Sequence, residues 1–407
     1  MTDIHVRVLR ADEHRQALDL VYRALHHSRS TDEEWTLRAK GHQEGRILGA
    51  FLADELIGTA AALTSDTTVP GGARLPTAAV TGVGVRADRR RRGALRALMH
   101  DQLRDAAQRG EAMAALHASE TSIYGRFGYG IGTHARGVRV HARHAAVRPD
   151  IPSSGEIRQL GGVTEVLATM PEVYRRIGRP RVGMMERPEG WWAIKYGRWF
   201  GAGDSHEVAV HEGTDGASGF VCYRTQEISD YAGPNFAAHL EVVDLHANSL
   251  SALADLWRHL LAVDLVATIE THPRPLDEPY PLLFTDPRVC TAVPESDDEI
   301  WYRLLDVPRA LASRSYQDAE PVVIEVRDEL FPDNAGRYRL SAAGADRTDA
   351  AADLHCDVQT LAMLYFGSYR ASDLAELGRI TIAEQGAAVR ADQLLRTEQA
   401  SWCGTGY

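Results

Sequence analysis

Four consecutive arginines, Arg89, Arg90, Arg91 and Arg92, run into Gly93 where the alternating stretch VTGVGV (80–85) gives way to the apolar-periodic ALRALM (94–99). A helix N-terminus offers unbonded backbone N–H groups and the positive end of the helix dipole, so a strand-to-helix turn rich in arginine suits a phosphate or pyrophosphate. The guanidinium groups add charge-assisted hydrogen bonds, and Gly93 lets backbone approach a ligand closely. A solvated basic corner is the competing reading, but such a corner needs neither the strand before it nor the amphipathic helix after it.

Downstream, YGRFGYG (124–130) reads from its residues as a glycine-rich aromatic hairpin in which Tyr124, Phe127 and Tyr129 are core. His117 reads as a strand histidine that is either core or lining. Asp32, Glu33 and Glu34 are either ammonium ligands or solvated acids. Trp191 and Trp192 look like packing of a middle region. His26 and His27 have no partner at metal-ligand spacing, so no metal is expected.

The elements that must position these groups follow from periodicity. IHVRVLR (4–10) reads as a strand, DEHRQALDLVYRALHHS (12–28) as a helix and RSTDEEW (29–35) as a loop. Paired strands follow around a turn at Asp54 and Glu55, then a Gly- and Pro-rich break over 70–76. Leu95, Leu98 and Leu103 recur at helical spacing, so a helix is predicted from Gly93 to Arg109, ended by Gly110 and followed by a strand in AMAALHAS (112–119). Strand, helix, strand makes a βαβ unit that brings the end of the first strand and the start of the helix to one side. RPDIPSSG (148–155) reads as a linker. Helical VTEVLATMPEVYRRIG and SLSALADLWRHLLAVD alternate with strand-like SGFVCYRT and HLEVVDLHA up to a proline-rich loop at 272–281. PVVIEVRDELFPDNAGRYRLSA (321–342) then reads as a hairpin about a Pro, Asp, Asn, Gly turn.

The 407 residues exceed what one hydrophobic core organises, and the pattern divides into domains at 1–150, 151–295 and 296–407. The class is α/β (α+β). A net charge of -11 disfavours nucleic-acid binding and mildly favours a cationic ligand. Cys222, Cys290, Cys356 and Cys403 form no CxxC pair, which argues against a disulfide framework or a zinc site. No leader or membrane-length apolar run is evident, so neither secretion nor a membrane is expected, and the cytoplasm is the default.

Arg90, Arg91, Arg92 and Gly93 after a Val-x-Val strand resemble the acetyl-CoA pyrophosphate loop of the GNAT N-acetyltransferases, although Leu95 stands where that loop usually carries Gly or Ala. The pairing of VTGVGVRADRRRRGALRALM (80–99) with AALHASETSIYGRFGYGIGT (114–133) resembles the enhanced intracellular survival (Eis) branch. IWYRLLDVPRALASRSY and LYFGSYRASDLAELGRI extend the resemblance along the chain. It implies tandem GNAT-fold regions, the first competent, followed by a sterol-carrier-protein-like domain, assembled as a homohexamer. It also implies acetyl transfer from acetyl-CoA to amines of small polycations such as aminoglycosides. Alternatives are acetylation of protein lysines, or lipid binding beside a decayed site. Carried over, Val83, Gly84 and Val85 hold the pantetheine arm by backbone bonds, and Arg90, Arg91, Arg92, Gly93 and Ala94 hold the pyrophosphate. His117 and Ser119 lie near the thioester, Tyr124 is the general acid, and the base is the terminal carboxylate of Tyr407. Gly406 replaces an acidic residue usual in the family, which bears on the choice of substrate.

Overall fold

The computed structural model describes residues 4–201, 206–228 and 237–407. The chain forms two compact units, one of Met1–His134, Pro180–Gly190 and Asp298–Tyr407, the other of Ala135–Arg179 and Trp191–Asp297.

In the first unit, alternation along β1 (Ile4–Val8), β2 (Ile47–Leu52), β3 (Glu55–Thr68) and β4 (Arg74–Val85) builds an antiparallel meander. Successive residues of β2 face opposite sides: Ile47 and Phe51 pack with Ala17 and Leu20 of α1 (His14–Ala24), while Leu48 and Ala50 pack with Leu98 of α3 (Ala94–Gln108). Met99, Leu103 and Ala106 carry α3 onto the rest of the sheet. The predicted βαβ unit is present: after α3, β5 (Met113–Leu116) pairs parallel to β4. A helical turn, α4 (Thr121–Tyr124), then leads towards β6 (Gly130–His141), so the aromatic segment is not a hairpin. Trp301–Leu304 lies antiparallel along the other edge of β5.

The reading of 29–35 as a loop is corrected by α2 (Asp32–Ala39). Thr31 caps it by accepting the Glu34 N–H at 3.1 Å, and Asp32, Glu33 and Glu34 place negative charge at its N-terminus. Those signals were present in the sequence and outweigh its polarity.

Later in the same unit, a five-stranded sheet contains the hairpin of Val322–Arg327 with Gly336–Ser341. The segment 183–187 hydrogen-bonds to the end of β3: Gly183 N–H donates to Thr68, Thr68 N–H to Met184, and Glu186 N–H to Asp66.

The second unit repeats the strand–helix–strand theme. Ala238–Ala247 and Val266–Arg274 are parallel neighbours joined through the helix Leu250–Leu261, whose Leu256, Trp257 and Leu260 enter the core. Trp191 and Trp192 are buried there beside Tyr174 and Tyr196. No described helix is long and apolar enough to cross a membrane.

Candidate active site

β4 pairs with β5 only from Thr77 opposite Met113 to Ala79 opposite Ala115, and β5 ends at Leu116 while β4 continues to Val85. On its other edge, Thr59 faces Gly84 and Ala61 faces Thr81, so Gly82 and Val83 together oppose Ala60 in a bulge. β4 therefore runs on past β5 with backbone groups that β5 does not pair. Backbone groups left unpaired in this way are what an extended ligand arm needs in order to bond along a strand.

From the end of β4 the chain makes a short 3₁₀ turn over Ala87–Arg89 and enters α3 through two left-handed residues, Arg91 (φ 61°) and Gly93 (φ 94°). Gly93 occupies the helix N-cap position, with no side chain capping the helix. A residue other than glycine would be strained there although space is open around it. Arg86 and Arg89 are tied to Glu55 and Asp88, with Arg89 3.0 Å from Glu55 and 2.8 Å from Asp88. Their guanidinium groups hold the Glu55 carboxyl below the usual carboxylate range. Arg90, Arg91 and Arg92 are exposed and carry no side-chain hydrogen bond or ion pair among the described residues. The arginine run is thus divided by role: one end braces the turn and the other faces solvent at an uncapped helix N-terminus.

A groove of about 1270 Å³ opens at this point, larger than the roughly 300–1,000 Å³ of sites for drug-sized ligands. Val83, Gly84, Val85, Arg90, Arg91, Gly93, Ala94, Ser119 and Tyr124 all line it; Arg92 and His117, both exposed, do not. Arg23, His26, Arg96 and Arg126 also line it. No local sequence pattern announces them, because their convergence depends on how α1, α3, α4 and the turns that follow α1 and α4 pack together. Leu95 lines the groove and packs against the core beside Val83.

Tyr124 is 5% exposed. Burial, with the Glu120 carboxylate nearby, pushes its phenol up to about 12. Its ring meets that of Tyr129 edge-on at 6.0 Å, and Tyr129 is wholly buried in the core.

Glu34 is buried and accepts a hydrogen bond from the Tyr22 hydroxyl at 2.8 Å, with Arg38 at 3.4 Å, so its charge is satisfied inside the fold. Asp32 is fully exposed beside Arg15 at 3.4 Å. Among the described residues no group of three or more His, Cys, Asp or Glu is arranged to hold a metal ion.

The tail is packed. Trp402, Cys403 and Thr405 are buried, and the Tyr407 hydroxyl donates to the Glu186 carbonyl at 2.6 Å and lies 3.2 Å from Ser65 Oγ. Tyr407 is not among the groove's lining residues. Its anchor Ser65 stands on β3 opposite Thr77, where β4 begins to pair with β5.

This fold and site define an acetyltransferase. Residues 5–132 and 183–304 each match an acetyltransferase (GNAT) domain, and 307–404 match a sterol carrier protein domain. An uncharacterized N-acetyltransferase of Streptomyces avermitilis is 36% identical over 99% of both chains. N-acetyltransferase Eis of Mycobacterium tuberculosis is 33% identical over 87% of this chain and 85% of its own. The crystal structure of Eis1 from Mycobacterium abscessus superposes with a TM-score of 0.86 at 39% identity, covering 99% of this chain and 100% of that one. The chain belongs to the Eis family of GNAT N-acetyltransferases.

Proposed function

We propose that the chain transfers acetyl from acetyl-CoA to amines of small polycationic molecules such as aminoglycosides, with the groove of the first unit as its catalytic site. The observation that carries this reading is the junction of β4 and α3, where an unpaired strand edge leads into an uncapped helix N-terminus beside unpartnered arginines. Those groups fit a ligand with an amide-bearing arm and a pyrophosphate. In this reading Val83, Gly84 and Val85 bond the arm through their backbone. Arg90 and Arg91, with Arg92 reinforcing the field, hold the pyrophosphate over the N–H groups of Gly93 and Ala94. Ser119 and His117 flank the thioester end.

Amine acetylation requires the nitrogen to lose a proton and the departing sulfur to gain one. Tyr124 is suited to supply the sulfur's proton, since its raised pKa keeps it protonated across the working range and its hydroxyl has no hydrogen-bond partner among the described residues. The Tyr407 carboxylate takes the amine proton, directly or through a water. The net charge of -11 favours encounter with cations.

The test is acetyl-CoA turnover against aminoglycosides, lysine-containing peptides and small biogenic amines, with the acetylated product identified by mass. Amine-dependent release of CoA with an aminoglycoside supports the reading. Turnover confined to peptides would replace its substrate class, and no turnover with any amine would reject it.

A further inference from the structure

Chain termini usually fray. Here the last turn of chain is gripped by two buried, oppositely charged side chains. Glu299 is 4% exposed, and its two carboxylate oxygens accept the backbone N–H groups of Cys403 at 2.9 Å and Gly404 at 2.7 Å. Arg187 is 3% exposed and donates to Thr405 Oγ1 at 3.0 Å and to the Gly404 carbonyl at 2.7 Å. Successive backbone groups of the tail are thus read from both sides. Trp402 N–H donates to Val182 at 2.8 Å, and Ser401 Oγ to Gly132 at 2.9 Å. At Gly183 (φ 95°) an added Cβ would press on Thr133 at 2.5 Å and on the Trp402 carbonyl at 3.0 Å.

A buried charge is costly unless hydrogen-bonded, so packing a tail for stability alone is served at least as well by apolar contacts. Charged acceptors and donors aimed at consecutive backbone groups instead define position, because every one of these bonds lengthens or misaligns together when the chain slides. The segment that carries Arg187 also bonds to the end of β3, so the tail is referred to the strand that pairs with β4.

We infer that Glu299 and Arg187 are positioning residues that clamp the C-terminal tail so as to set where the Tyr407 carboxylate lies. This rests on the reading of that carboxylate as the base. Neither residue touches substrate; both act through the tail.

Glu299→Gln keeps the side chain's size but turns one acceptor into a donor that faces an N–H. Thr405→Val keeps shape and removes an acceptor of Arg187. Each is expected to lower kcat for amine acetylation at about pH 7 by at least roughly tenfold while acetyl-CoA Kd stays within about twofold. Carboxypeptidase should release Tyr407 at least about tenfold faster from each variant than from the natural chain. The kcat deficit should shrink as pH approaches about 10, where an acceptor amine sheds its proton unaided. Should Glu299→Gln fail to fold, the milder Thr405→Val decides.

Unchanged kcat despite faster release of Tyr407, or a deficit equally large at every pH, overturns the clamp. A chain ending at Gly406, whose carboxylate is displaced by about 3.5 Å of backbone, separates the two ideas. Retained kcat there rejects the terminal base itself. Lost kcat there, with both clamp variants at full activity, rejects the clamp alone.

Discussion

Replacing Arg90 and Arg91 together with alanine removes the two groove-lining guanidinium groups of the arginine run that have no carboxylate to satisfy. A hydrogen bond between charged groups contributes about 1.5–3 kcal/mol, but both side chains are exposed, so about 1 kcal/mol each is the discounted figure. The sum, about 2 kcal/mol, corresponds to roughly thirtyfold in Kd. Arg89 makes the contrast: it is spent on Glu55 and Asp88, and Arg89→Ala should weaken acetyl-CoA no more than about threefold. Titration calorimetry with acetyl-CoA at two salt concentrations reads both effects. The natural chain should lose more affinity on adding salt than the double variant does, because it loses screened contacts the variant lacks. An unchanged Kd in the double variant, or an equal loss in Arg89→Ala, refutes the division of the run into bracing and binding arginines.

Two further outcomes follow from the same geometry. In the second unit the corresponding helix, Leu250–Leu261, is capped by Ser249 Oγ, which accepts the Ala252 N–H at 3.2 Å, and the turn before it, DLHANS, holds no arginine. Calorimetry should therefore give one acetyl-CoA per chain, and a stoichiometry of two would contradict this. His42, half-buried against Trp35 and His14, has its imidazole pushed down to about 4, chiefly by burial. The unfolded chain takes up that proton near pH 6.5, so stability present above about 6.5 should be lost as pH falls towards about 4. Melting temperatures across that range should fall less steeply in His42→Gln, and an identical slope would show that His42 contributes nothing to the acid sensitivity.

Much of the first unit was legible because its signals are local. Leu95, Leu98 and Leu103 mark one helix face, Gly110 ends it, and the predicted span of Gly93 to Arg109 differs from the observed Ala94–Gln108 by one residue at each end. The βαβ connection then follows from handedness and short loops. The helix at Asp32–Ala39 was missed because its acidic first turn reads as polar loop unless the Thr31 cap is given weight. Groups that act at a distance left no pattern. Arg187 and Glu299 lie far apart in the chain yet both bond the tail, and the bulge of β4 against β3 is not revealed by either strand's alternation. The roles of Tyr124 and Tyr407 came from the resemblance, since a buried tyrosine and a packed terminus are each compatible with structure alone.

The proposed function makes Tyr124 the proton donor in the groove of the first unit, and Tyr124→Phe tests this by deleting one oxygen from a buried ring. Steady-state kcat for amine acetylation should fall about a hundredfold while acetyl-CoA Kd, measured on the same preparation, stays within about twofold. A kcat within twofold of the natural chain, with Tyr129→Phe as the damaging change instead, would contradict the assignment.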